Sequence, residues 1–165
     1  MKMKQLTAGM IALVMSMSLP MTTYAADWYL EDGSITVDAG DSGQTVTQGS
    51  TSTPDEAPVV TQRDSSAETS NTITINASEN ATANVTIKDI NIKSSSDAID
   101  VNGSSSANIT LEGDNKIFSE TGSALHVSDG NVTINGSGSL KAEIQDDFGS
   151  DDNYNAKIGS HENED

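Results

Sequence analysis

Asn84-Val85-Thr86-Ile87, Asn108-Ile109-Thr110-Leu111 and Asn131-Val132-Thr133-Ile134 are one four-residue phrase repeated three times, at spacings of 24 and 23 residues. A period of that length with one short β-type run per pass is the pattern of a solenoid, in which each pass buries its apolar face against the next. A turn residue follows five positions after each Asn (Asp89, Gly113, Gly136), and an aliphatic residue comes shortly after it (Ile92, Ile117, Leu140). The first two passes share a third run, Ala98-Ile99-Asp100-Val101 and Ala124-Leu125-His126-Val127, closed by Asn102-Gly103 and Asp129-Gly130. Three short strands per pass, separated by polar corners, predict an all-β chain: a parallel β-helix of about 2–3 coils over residues 72–142. Aliphatics should stack inward, with Val85, Ile109 and Val132 in one column and Ile87, Leu111 and Ile134 in the next. Thr86, Thr110 and Thr133 should then form an outward ladder, as β-branched residues do on a solvated strand face.

Working outward, residues 1–25 read as a secretory signal peptide. Lys2 and Lys4 give a basic start, Met10 to Leu19 is an apolar run too short to span a bilayer, and Thr23-Tyr24-Ala25 supplies small residues for cleavage. The expected location is therefore secreted or at the cell surface, with no membrane span after cleavage. Loss of Lys2 and Lys4 takes the formal charge from -17 to about -19. So acidic a surface repels nucleic acid and anionic membranes and favours cations, Ca²⁺ above all, which takes carboxylate and carbonyl oxygens. There is no cysteine, so strand ladders and stacked aliphatics must supply the stability.

Residues 26–71 read as an N-terminal capping strand followed by a polar linker. Trp28-Tyr29-Leu30 and Ser34-Ile35-Thr36-Val37 alternate as strands around Gly33. A bulky aromatic at this end is expected to cap the hydrophobic stack; as the alternative, Trp28 and Tyr29 are the candidate carbohydrate-binding residues, since a flat ring can lie on the apolar face of a sugar. The run from Gly49 to Glu56 is expected to be a loop, and Pro58-Val59-Val60-Thr61-Gln62 an edge strand, where the missing proline N–H can face outward. Seven Asn-x-Ser/Thr triplets occur, but an Asn corner before a Val-Thr-Ile strand, or a turn Asn before Gly-Ser, generates them without glycosylation.

Residues 143–165 read as an acidic loop and the start of an incomplete coil. Asp146, Asp147, Asp151 and Asp152 fall within seven residues, with Gly and Ser between them, and are the candidate Ca²⁺ ligands; their spacing is not that of an EF-hand. Ala156-Lys157-Ile158-Gly159-Ser160 begins like another strand. The expectation is either a polar lid over the last coil or the front of a longer surface protein.

Asn108-Ile109-Thr110-Leu111-Glu112-Gly113, Gly122 to Val127 and Asn131 to Leu140, with the Trp28 segment and Ala156 to Ser160, resemble the carbohydrate-binding β-helix domains of surface and secreted proteins in Gram-positive, often anaerobic, bacteria. The resemblance implies a pectate-lyase-like right-handed β-helix, Ca²⁺ sites, and binding of acidic polysaccharide in some members. Lyases on such folds need a basic residue and clustered acids, and hydrolases need convergent carboxylates. The basic residues here (Arg63, Lys88, Lys93, Lys116, Lys141, Lys157) are scattered. Asp97 and Asp100 read as corner and surface residues within reach of a metal, and His126 should lie opposite Asp100 on the neighbouring coil, without an identifiable nucleophile or oxyanion donor. Two functions are expected. One is a non-catalytic, extracellular polysaccharide-binding module assisted by Ca²⁺, and the other is an adhesin-type stalk without a specific glycan site.

Overall fold

The computed structural model describes residues 25–103, 106–145 and 158–160. The signal-peptide reading of residues 1–25 falls almost wholly outside them. The strands in chain order are β1 (Asp27–Tyr29), β2 (Ile35–Gly40), β3 (Gly43–Gln48), β4 (Thr51–Pro54), β5 (Val59–Thr61), β6 (Ile73–Ala77), β7 (Thr82–Lys88) and β8 (Asn91–Ser94). They continue as β9 (Ile99–Asn102), β10 (Ser106–Glu112), β11 (Asp114–Ser119), β12 (Leu125–Val127), β13 (Asn131–Gly136), β14 (Ser139–Ile144) and β15 (Ile158–Ser160). A 3-10 turn, Leu30–Asp32, joins the first two.

These strands stack into a parallel β-solenoid of about three coils, with three walls. The first wall is β1-β5-β7-β10-β13, the second β14-β11-β8, and the third β15-β12-β9-β6-β2-β3-β4. All pairings are parallel except β2 with β3 and β3 with β4. Strict alternation of burial along β6, β7 and β10 puts every second aliphatic inward. In the third wall Ile35, Ile73, Ile99 and Leu125 form one column and Val37, Ile75, Val101 and Val127 the next. Each such residue, fully removed from water, contributes on the order of 1.5–3 kcal/mol.

Polar side chains inside the stack close the backbone accounts at the corners. Asn115, 1% exposed, donates from Nδ2 to the carbonyls of Glu112 and Ser139 (both 3.0 Å) and accepts from the Ile90 N–H at Oδ1 (3.3 Å). One side chain thus joins three successive coils. Gln44 does a related job at the upper rim, where β5 pairs only with Thr86 to Lys88 of β7. Its amide accepts from the Asn84 N–H (2.8 Å) and donates to the Asn84 carbonyl (3.0 Å), in place of the strand that does not extend there.

The inward columns of the first two passes match the sequence reading, with Ile109 opposite Val85 and Leu111 opposite Ile87. The third pass is two residues out of that alignment. Asn131 pairs with Ser106, Val132 with Ala107 and Ile134 with Ile109. The second wall slips in step, so that Ile117 faces Ala142 and not Leu140. The backbone supplies the cause: Gly136 lies over Leu111 at φ +109°, where a Cβ would collide with the Leu111 carbonyl. Only glycine fits there, so its place fixes the register. The threonine ladder ends accordingly, with Thr110 donating to Asn135 Oδ1 (3.1 Å).

The segment read as a linker holds strands. β3 and β4 fold antiparallel beside β2, and Thr51–Pro54 is the outermost strand of the third wall, not a loop. Gly43 (φ +109°) and Gly49 (φ +60°) allow the two reversals, while Gln44 and Val46 turn inward among outward threonines. β5 is likewise not an edge strand; it lies between β1 and β7. Pro58 precedes it, and its carbonyl accepts from Thr86 N–H (2.9 Å).

Candidate functional site

Outward-facing residues of the third wall form two polar rows. Thr36, Thr74, Asp100 and His126 succeed one another in register, and beside them run Asp38, Asn76 and Asn102. The alternation that sends Ile35, Ile73 and Ile99 inward sends these residues out. Asn76 Nδ2 donates to Asp38 Oδ1 (2.7 Å), and Ser128 Oγ donates to Asn102 Oδ1 (3.0 Å). The β2–β3 turn rises beside the second row. With Asp38, Thr45, Asn76 and Asn102 it encloses an open cleft of about 490 Å³. Gly103, at φ +108°, lies so close over Ala77 that a Cβ would strike the Ala77 carbonyl, which keeps the floor of the cleft low.

At the next position along the wall, His126 Nδ1 lies 2.8 Å from Asp100 Oδ1 and 3.9 Å from Asp97 Oδ2. All three side chains are about one-third exposed. The outer oxygens of both carboxylates are held from outside the group: Asp97 Oδ1 accepts from Ser123 N–H (2.5 Å), and Asp100 Oδ2 accepts from Asn102 Nδ2 (2.8 Å). The facing of His126 and Asp100 was legible in the sequence, because both occupy the outward position of the third run. Asp97 and Asp100 are both expected within reach of a metal, but the sequence does not place Asp97 beside His126, since a corner residue has no alternation to aim it. The Asp38–Asn76–Asn102 row was missed because the reading took the repeat to start only at Thr72.

The two aromatics proposed to stack on sugar are engaged with the protein. Trp28 belongs to an inward column, paired with Val60, and its Nε1 donates to the buried Asp55 carboxylate (Oδ2, 2.9 Å). It caps the stack. The ring of Tyr29 is covered by Arg63, whose Cζ lies 4.0 Å from its centroid. Arg63 in turn grips Asp32 with two hydrogen bonds (2.9 and 2.6 Å). Those bonds, and secondarily the guanidinium charge, hold the Asp32 carboxyl below the usual carboxylate range and raise the pKa of Arg63. The candidate Ca²⁺ ligands Asp146, Asp147, Asp151 and Asp152 lie outside the described residues.

Compared with protein-family models, with curated proteins and with solved structures, the chain matches none. Among the described residues no helix is long and apolar enough to cross a membrane.

Proposed function

We propose that this chain is a non-catalytic, extracellular polysaccharide-binding module of the β-helix kind that its sequence resembles, exported by a bacterium to its surface or surroundings. The observation that supports this reading best is the cleft along Asp38, Asn76 and Asn102. Amides and carboxylates offer sugar hydroxyls both donors and acceptors, and the strand stack repeats them at intervals of about 4.8 Å. An extended polymer can lie across such a row and meet the same chemistry at successive coils.

Charge restricts the partner. A surface this acidic attracts a neutral glycan no less than any other polar surface, whereas a polyuronate requires a bridging cation such as Ca²⁺. The test is retention of the chain on neutral polysaccharides and on polyuronates, with and without chelator, for the wild type and the Asn76→Ala/Asn102→Ala double variant. Binding that the double variant loses supports the module; a polyuronate signal should also vanish with chelator. Equal binding by wild type and variant would move the site elsewhere.

A structural stalk is the second reading, and the first wall favours it. There Asn108 Nδ2 donates to Asn84 Oδ1 (3.0 Å) and Thr110 to Asn135, so the outward polar groups satisfy one another along the stack. A stalk would be retained on none of the polymers.

A further inference from the structure

We propose that Asp97, Asp100 and His126 form a site for a borderline divalent transition ion, with Zn²⁺ as its representative. This goes beyond the glycan reading and does not rest on it. One donor atom from each side chain lies within 4.8 Å of the other two. Around a tetrahedral ion with bonds of about 2.0–2.2 Å, neighbouring ligand atoms stand roughly 3.3–3.5 Å apart. The two separations from His126 Nδ1, 2.8 Å to Asp100 Oδ1 and 3.9 Å to Asp97 Oδ2, bracket that value.

Two features beyond proximity point to a ligand. Each carboxylate is oriented by a donor that is not itself a candidate ligand, the Ser123 N–H or the Asn102 amide. These donors hold the outer oxygens and leave Asp97 Oδ2 and Asp100 Oδ1 directed at the imidazole, as supporting hydrogen bonds do at metal centres. Furthermore, among the described residues neither carboxylate has a Lys or Arg partner, and His126 is the only basic group against them. A cation placed among them therefore displaces no existing ion pair with Lys or Arg.

The histidine decides the class of ion. Ca²⁺ takes six to eight oxygens and has little use for imidazole, while this group offers one nitrogen and two oriented oxygens. Imidazole with carboxylates suits Zn²⁺ and its neighbours in the first transition row. His126 would bind through a bare Nδ1 with its proton on Nε2, exchanging its contact with Asp100 Oδ1 for a shared ion. Three protein ligands leave a further position for water or an incoming oxygen donor.

The experiment is titration of the chelator-treated full chain with ZnCl₂ by calorimetry, paired with Co²⁺ in place of Zn²⁺ to read tetrahedral coordination by visible absorption. One equivalent should bind, with a visible cobalt band. His126→Ala and, separately, Asp97→Asn should each weaken binding at least tenfold and abolish the band, while retaining the β-type circular dichroism of the wild type. His161→Ala, which removes the other histidine, should change neither readout. Zn²⁺ binding that survives His126→Ala, or that is lost in His161→Ala alone, overturns the proposal. So does a site that CaCl₂ fills as tightly as ZnCl₂ and that is indifferent to His126.

Discussion

Replacing Asn115 by alanine tests whether polar groups inside the stack hold the coils together. The side chain is 1% exposed and makes three hydrogen bonds, to backbone groups of Ile90, Glu112 and Ser139. Each net bond contributes about 0.5–1.5 kcal/mol, and a buried donor left without a partner costs about 1–3 kcal/mol. The Glu112 carbonyl keeps a second, longer contact from Asp89 N–H (3.4 Å), but among the described residues the Ile90 N–H has no other partner. Asn115→Ala should therefore destabilise the chain by about 2–4 kcal/mol, a large part of the 5–15 kcal/mol expected of a domain.

Asn115→Asp sharpens the reasoning. It preserves an acceptor for Ile90 but sets a carboxylate oxygen against two carbonyls in a buried corner, so it should cost at least as much as alanine at neutral pH. The reference is Asn108→Ala, which removes an exposed Asn–Asn contact and should stay within about 0.5 kcal/mol of wild type. Urea unfolding followed by circular dichroism gives the midpoints, and an unchanged m-value shows that the comparison is of stability alone. If Asn115→Ala falls within about 0.5 kcal/mol of Asn108→Ala, or if the aspartate is tolerated, the coils are held by aliphatic stacking and the corner bonds are incidental.

Two further outcomes are expected. Gly136→Ala should be clearly more damaging than Gly49→Ala in the same unfolding assay. Both glycines have positive φ, worth about 1–2 kcal/mol against a side chain, but only at Gly136 does a Cβ meet backbone, the Leu111 carbonyl; equal losses would mean that the register does not depend on that approach. Asp32→Asn should flatten part of the acid limb of stability. The Arg63 hydrogen bonds depress the folded carboxyl, so its contribution is present above the unfolded value of about 4 and is lost as pH falls through the folded one. The pair is about half exposed, so the difference in melting temperature between variant and wild type should be small, present at neutral pH and gone in acid; a difference that persists unchanged down to the lowest pH would refute the assignment.

The repeat made the architecture legible because burial in a solenoid has a period of its own. Val85, Ile109, Ile87 and Leu111 fell where alternation put them, and so did the facing pair Asp100 and His126. What could not be read was fixed by backbone contact. Aligning the third phrase on its asparagine maximises sequence identity, but Asn131 is exposed and nothing in the stack depends on it. Gly136 depends on its place, and it is two residues off that alignment. The β3–β4 hairpin was hidden for another reason. Val46 is its one buried aliphatic, and its other inward residue is Gln44, so hydropathy gave no alternation to find. Missing β3 also meant missing the β2–β3 turn that walls the cleft. Trp28, expected as a cap, is partly buried and packs against the apolar core.

The walls differ in a way that bears on function. In a stack of coils, identical outward residues on neighbouring strands can bond to one another, as Asn84 and Asn108 do, and such a column stabilises the ladder without needing a ligand. On the third wall the outward column begins in the same style with Thr36 and Thr74, then changes to Asp100 and His126, while Asp97 joins from the corner. The inward partners on those strands remain aliphatic throughout, so packing does not require the change. Nor does strand propensity, which threonine serves better than aspartate. A departure that neither the core nor the strand explains, and that gathers two oriented carboxylates around one imidazole, is where chemistry beyond the fold is to be sought. The neighbouring row of Asp38, Asn76 and Asn102 shares that wall, so an ion held by Asp97, Asp100 and His126 would sit beside a polymer lying in the cleft. Glycan retention measured with Zn²⁺ present, absent, and with His126→Ala would then separate two sites that merely adjoin from two that act together.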